Sequence, residues 1–130
     1  MVYRLIPVSA CDAVDGHWEF QSGAFDNATP IADGERDDDM SVVLGDTLEA
    51  LARVPETLPE ETACAGAPEL WGVAVLNVGF LRDEVRQSIH RTPNDHEPAH
   101  GDVRGAKNPK RRKKLKRHAK WVVEPRLPPA

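Results

Sequence analysis

The chain has 130 residues, enough for one domain around one small core and too few for two. Leu, Ile, Val and Phe supply 29 of them, which makes the core lean, and 11 prolines with 9 glycines spread along the whole length exclude a helical bundle. The formal net charge of −4 conceals a segregation: residues 1–80 hold 15 acidic and 3 basic side chains, whereas residues 107–130 hold 1 acidic and 10 basic ones.

At the start, "MVYRLIPVSA" lacks the charged, apolar and cleavage regions of a signal peptide, and no later segment reaches the ~18 apolar residues of a membrane span. Cys11 and Cys64 have no metal-binding spacing, so reduced thiols in a cytoplasmic protein are expected. Residues 2–6 read as a β-rich first strand, closed by Pro7. "HWEFQ" alternates large apolar and polar residues and reads as a second strand with Trp18 and Phe20 on one face. "SGAFDNATPIADGERDDD" is a turn-rich, acidic connection. "MSVVL" is a short apolar strand. In "GDTLEALARV", Asp46 with Glu49 three residues on has the form of a capping box, and Leu48, Leu51 and Ala52 share one helical face. Pro55 and Pro59 stop that helix, and "PETLPEETACAGAPE" reads as loop.

The β-branched content of "LWGVAVLNV" favours a strand over residues 71–78, followed by a helical turn. "VRQSIHR" and "HGDVR" are further short strands, the second expected to be the last. "NPKRRKKLKRHAKWVV" reads as a helix with Asn108 as N-cap and Pro109 at the first helical position, where its fixed φ is already helical. Leu115, Ala119 and Val122 then form a stripe that packs on the body, and Trp18 and Trp71 are core residues. These elements imply one α+β domain over residues 1–124. It has a small, mostly antiparallel sheet, one mid-chain helix and a C-terminal basic helix, with residues 125–130 as an extended Pro-rich tail.

The basic helix carries the strongest signal. Lys107, Lys110, Arg111, Arg112, Lys113, Lys114, Lys116, Arg117 and Lys120 are nine cations within fourteen residues. Four like-charge pairs at i, i+4 together cost the isolated helix about 1 to 2 kcal/mol. Lys110, Arg111 and Arg112 also sit in the first turn, where the helix dipole favours anions. An anionic counterpart is therefore expected: RNA or DNA phosphates, an acidic protein partner, or the chain's own acidic segment around Asp37, Asp38 and Asp39. Trp121 is the one aromatic side chain in the run able to stack on a base.

His90, His96 and His100 lie near Asp95, Glu97 and Asp102, but Pro93 and Pro98 break any helix that would align them, so neither a metal nor another cofactor is expected. His100 is the candidate acid or base. In that alternative it acts on a phosphate-bearing substrate, with Lys107 and Arg112 holding the anion and Arg4 as a second clamp from the first strand. "GDVRGAKN" departs from a phosphate-binding P-loop in the spacing of its glycines and in having Asn108 where Ser or Thr would hold magnesium.

Four segments in order, "SGAF" at 22–25, "MSV" at 40–42, "EPAHGDVRGAK" at 97–107 and "KWV" at 120–122, resemble a group of small bacterial proteins of unassigned function. The resemblance covers most of the chain and implies a stand-alone bacterial domain. It supplies no activity, and residues 110–117 are more basic than it requires. The leading expectation is a non-catalytic accessory protein that binds nucleic acid through the basic helix. The alternatives are the His100 enzyme and a module that docks a protein partner through charge asymmetry.

Overall fold

The computed structural model describes residues 1–26, 39–62 and 66–129. Strands β1 (Val2–Pro7), β4 (Asp39–Leu44), β5 (Trp71–Leu76), β6 (Ser88–Arg91), β7 (His100–Arg104) and β8 (Lys120–Val123) form one sheet in the order β6-β7-β4-β1-β5-β8. Every neighbouring pair is antiparallel. A separate hairpin joins β2 (Cys11–Val14) to β3 (His17–Phe20). Its two-residue turn, Asp15-Gly16, has φ of 50° and 79°, the mirror-image geometry that matches the twist of a hairpin. The helices are α1 (Gly45–Ala50), α2 (Leu58–Glu61), α3 (Val78–Asp83) and α4 (Pro109–His118). The α+β class, the antiparallel sheet and the C-terminal basic helix are as expected. No helix among the described residues is long and apolar enough to cross a membrane.

Alternation along the strands divides the apolar residues between the two faces of the sheet. Val2, Ile6, Met40, Val42, Leu44, Leu76 and Val103 form the larger core, with Leu81 of α3, Leu115 of α4, and Phe20 and Phe25. On the opposite face Val43 and Val73 pack with Leu48 of α1, Leu58 of α2 and Ala99, flanked by Tyr3, Leu5 and Val122. These two layers decide which residues can meet.

Several local expectations are corrected. α1 has Leu44 at its N-cap and no side-chain cap; the Asp46 carboxylate binds Arg91 and Thr47 instead, so there is no capping box. The helix ends early because Ala52 takes a left-handed φ of 55°, which buries Leu48 and leaves Leu51 45% exposed. The expected loop after Pro55 contains α2, whose Leu58 is fully buried and anchors the smaller core. The strand from Trp71 stops at Leu76, since Asn77 caps α3 by accepting from the Phe80 N–H at 3.1 Å.

The basic helix also stops short. Ala119 is extended (φ −63°, ψ 144°), and Lys-Trp-Val-Val continues as β8 on the open edge of β5. An aromatic followed by two β-branched residues suits a pleated surface. Leu115 and Ala119 join the larger core while Val122 packs against the smaller one, so the three do not form a single helical stripe. β7 is therefore not the last strand. After β8, the Trp18 indole N–H donates to the Leu127 carbonyl at 2.8 Å and Arg126 pairs with Glu60 at 2.9 Å, tying the C-terminal segment to the body.

Candidate functional site

The start of α4 matches its sequence signal. Asn108 is extended at the N-cap, its side-chain oxygen accepts from the Arg111 N–H at 2.9 Å, and Pro109 follows. The Arg111 N–H is thus capped, and the Arg112 N–H is bonded to the Asn108 carbonyl. Four of the nine cations are held against the body. Lys107 is 5% exposed and donates to the Val103 and Gly105 carbonyls at 3.0 and 3.1 Å. Arg111 donates to the Ala106 carbonyl at 2.8 Å and Lys114 to that of Glu84 at 3.3 Å. Arg112 donates to the Lys107 carbonyl at 2.7 Å and lies 3.6 Å from the Asp26 carboxylate.

Lys110, Lys113, Lys116, Arg117 and Lys120 remain, and all five are exposed. Helical spacing places Lys110, Lys113 and the Lys116/Arg117 pair along one side of α4, and Lys120 continues the series at the start of β8. Among the described residues no carboxylate lies within ion-pair distance of any of them. Asp39 pairs with Arg104 at 3.3 Å, away from α4, while Asp37 and Asp38 lie outside the described residues.

His100 stands elsewhere. Its cross-strand partner is Val43 of the smaller core, so its side chain is on the sheet face opposite α4. The expected cluster of His100 with Lys107 and Arg112 is therefore not assembled. The glycines around it serve the sheet. A Cβ at Gly101 would come within 2.6 Å of a Leu44 methyl, and Gly105 combines a φ of 148° with a Cβ position 2.7 Å from the Gln87 amide. His100 Nδ1 lies 2.9 Å from the Thr92 carbonyl, and a carbonyl only accepts. The Thr92 hydroxyl, which can donate or accept, also lies 2.9 Å from Nδ1, so this one residue orients the ring, and Nε2 has no partner among the described residues.

Arg4 and His100 both line a cleft of about 580 Å³, although Arg4 shares its strand face with Val2 and Ile6 of the larger core and bonds to Ala24 and Asp26 on that side. β1 and β4 pair only at Val2 with Leu44 and Tyr3 with Val43, and then diverge. The Arg4 guanidinium occupies the gap, donating to the carbonyls of Ala24 (3.2 Å), Ser41 (2.8 Å) and Asp26 (3.4 Å). Burial pulls its pKa down to about 10, partly opposed by the Asp26 charge, so it stays cationic at neutral pH. Leu5, Pro7, Val43 and Trp71 supply apolar walls; Asn94, His96 and Glu97 complete the rim. Trp71, expected in the core, is half-buried, belongs to neither core cluster and is a wall of the cleft instead.

Sequence reasoning missed the pair that holds this rim. Glu97 is 7% exposed and receives both ends of the Arg53 guanidinium at 2.6 and 2.8 Å, and it also accepts from the Ala99 N–H at 3.0 Å. The Arg53 hydrogen bonds hold the Glu97 carboxyl below the usual carboxylate range, against the opposing effect of burial. Asn94 accepts from the backbone N–H groups of His96 and Glu97 at 2.9 and 2.8 Å, which sets the loop that carries His96 and Glu97. The available signal was an arginine in an 80-residue stretch that has only three basic residues.

A second polar contact was also missed: Ser88 Oγ lies 2.8 Å from His90 Nε2, opposite Asp102 on β7. The Asp102 carboxylate lies 3.5 Å from Arg104, and among the described residues no contact orients His90 Nδ1, so Ser88, His90 and Asp102 do not form a proton relay. Cys11 is buried, and burial pushes its thiol up to about 11, away from nucleophilic use. Cys64 lies outside the described residues. Among the described residues no group of three His, Cys, Asp or Glu side chains is placed to hold a metal ion. No family model matches the chain, and neither does a curated protein or a solved structure.

Proposed function

We propose that the protein is a non-catalytic accessory module that binds nucleic acid through the outer side of α4 and the first residue of β8. The observation that carries this reading is the row Lys110, Lys113, Lys116, Arg117 and Lys120, exposed and without a carboxylate partner among the described residues. Cations that repel one another along one side of a helix gain from a partner that presents phosphates at regular intervals. Trp121 is half-buried against Phe20, with its indole N–H bonded to the Trp18 carbonyl at 2.9 Å. Base stacking therefore has no part in the reading. Binding through phosphates alone is sequence-independent and strongly dependent on salt.

The test is fluorescence anisotropy with labelled DNA duplex and single-stranded RNA of equal length. If all five cations meet phosphates of the duplex, log K falls with log salt at a slope of about −4 to −5. Lys113→Glu with Arg117→Glu should reduce that slope by about 2. Absence of binding near 50 mM salt overturns the reading, as does binding unchanged by the double reversal. Capture of a protein partner that survives nuclease treatment would instead assign the charged side to protein docking. The phosphate-substrate enzyme has less support, because two of its four residues, Lys107 and Arg112, lie on the other side of the sheet and are bonded there.

A further inference from the structure

We infer that His118 is a proton-operated latch: neutral, it ties the start of α3 to the end of α4, and protonated it releases Asn77 and adds a charge to the cationic side of α4. The latch itself stands apart from the nucleic-acid reading, whereas its effect on affinity rests on that reading.

The geometry fixes the closed state. His118 is the last residue of α4, and its Nε2 accepts from the Asn77 backbone N–H at 3.2 Å. A backbone N–H can only donate, so Nε2 is the unprotonated nitrogen and the neutral ring carries its proton on Nδ1. The ring also lies parallel to that of Phe80, with centroids 3.8 Å apart and an interplanar angle of 5°. Asn77 is the N-cap of α3, so one imidazole joins the residue that begins α3 to the turn that ends α4.

Protonation acts on one of these two contacts. A phenyl face attracts a cation, so the stack on Phe80 is not weakened by the added charge. The bond to Asn77 is lost, because a proton on Nε2 would set two donors against each other. Among the described residues, the charged side chains lining the hollows beside the ring are Lys114 and Arg117 of α4, Lys120 of β8 and Glu84 after α3, and Met1 lines one hollow as well. Burial, then the Lys120 charge, hold the His118 pKa below its ordinary value, although the end of a helix favours a cation. The closed latch therefore contributes fully above the unfolded pKa of about 6.5, and its contribution is lost as pH falls through the lower folded value. Phosphates lying along Arg117 and Lys120 would offset the charges that oppose protonation, so proton uptake and nucleic-acid binding should favour each other.

The test is an NMR titration of the full chain between about pH 8 and pH 5. At the upper end the His118 ring should carry its proton on Nδ1 and none on Nε2. As pH falls, the Asn77 amide shift should follow the His118 midpoint, and Asn77 hydrogen exchange, corrected for pH, should quicken about five- to tenfold with the loss of its acceptor. His118→Phe keeps a ring against Phe80 but has neither acceptor nor charge, and its Asn77 amide should not titrate. Acidification should tighten DNA binding by the wild type about three- to tenfold more than by His118→Phe, the gain expected when bound phosphates raise the His118 pKa by about half to one unit. The wild-type titration decides the latch without any variant: a proton on Nε2 at the upper pH, or an Asn77 amide that ignores the His118 midpoint, would overturn it. An equal gain in the two chains would overturn the coupling. DNA that binds at neither pH, while Asn77 and His118 still titrate together, would remove the nucleic-acid reading and the coupling with it, and would uphold the latch.

Discussion

Removing the Glu97 carboxylate should cost the fold about 3 kcal/mol, a value that follows from what it leaves behind. In Glu97→Ala, the Arg53 guanidinium loses two short hydrogen bonds, of 2.6 and 2.8 Å, and the buried Ala99 N–H loses its acceptor. Breaking a buried ion pair from one side typically costs roughly 3 to 5 kcal/mol. The Arg53 side chain keeps 20% exposure and has Glu61 at 3.4 Å as a fallback, which places this pair at the lower end. For a domain of this size each kcal/mol lowers Tm by about 4 °C, so a drop of about 12 °C is expected. Urea denaturation of the wild type, Glu97→Ala, Arg53→Met and the double variant would give the coupling directly, and at least about 2 kcal/mol of it should be shared. A loss below about 1 kcal/mol for Glu97→Ala would mean that the pair behaves as a surface salt bridge, and the reasoning would fail.

The same carboxylate gives a pH signature. Its folded pKa lies below the ordinary value, so its contribution is complete above the unfolded pKa of about 4.3 and is lost as pH falls through the lower folded value. The urea midpoint should therefore drop in that acid window, and Glu97→Gln should flatten the drop. At the other end of the molecule, Asn108→Ala removes the acceptor for the Arg111 N–H and should cost about 1 kcal/mol, seen as earlier loss of helical circular dichroism. An unchanged unfolding midpoint would mean that the cap is already replaced by solvent.

The strands at β1, β3, β4, β5, β6 and β7 were legible because alternation and β-branched residues are local properties. The start of α4 was legible for the same reason, since Asn108 and Pro109 act within one turn. The end of α4 was not: what makes Lys120–Val123 a strand is the free edge of β5, some 45 residues earlier in the chain, and a run of lysines carries no trace of it. Asp46 had the spacing of a capping box, but Arg91, 45 residues away, competes for the carboxylate and takes it. Arg53 and Glu97 are separated by 44 residues and share no periodicity. For the candidate site, sequence proximity misled in a specific way. His100 precedes the basic helix by only a few residues, yet strand alternation turns its side chain to the opposite face. Arg4, nearly a hundred residues away, reaches the same cleft.

The gap that Arg4 fills divides the sheet into two three-stranded leaves, β6-β7-β4 and β1-β5-β8, whose backbones are joined by two residue pairs, the Gly45 N–H on the Met1 carbonyl and the Arg4 guanidinium. Any side chain without those donors would leave the carbonyls of Ala24, Ser41 and Asp26 facing one another across the opening. One side chain consequently both lines the cleft and bridges the two leaves of the sheet. A substitution at residue 4 therefore changes the cleft and the junction between the leaves together, whereas one at Leu5, Pro7 or Trp71 changes the cleft wall alone.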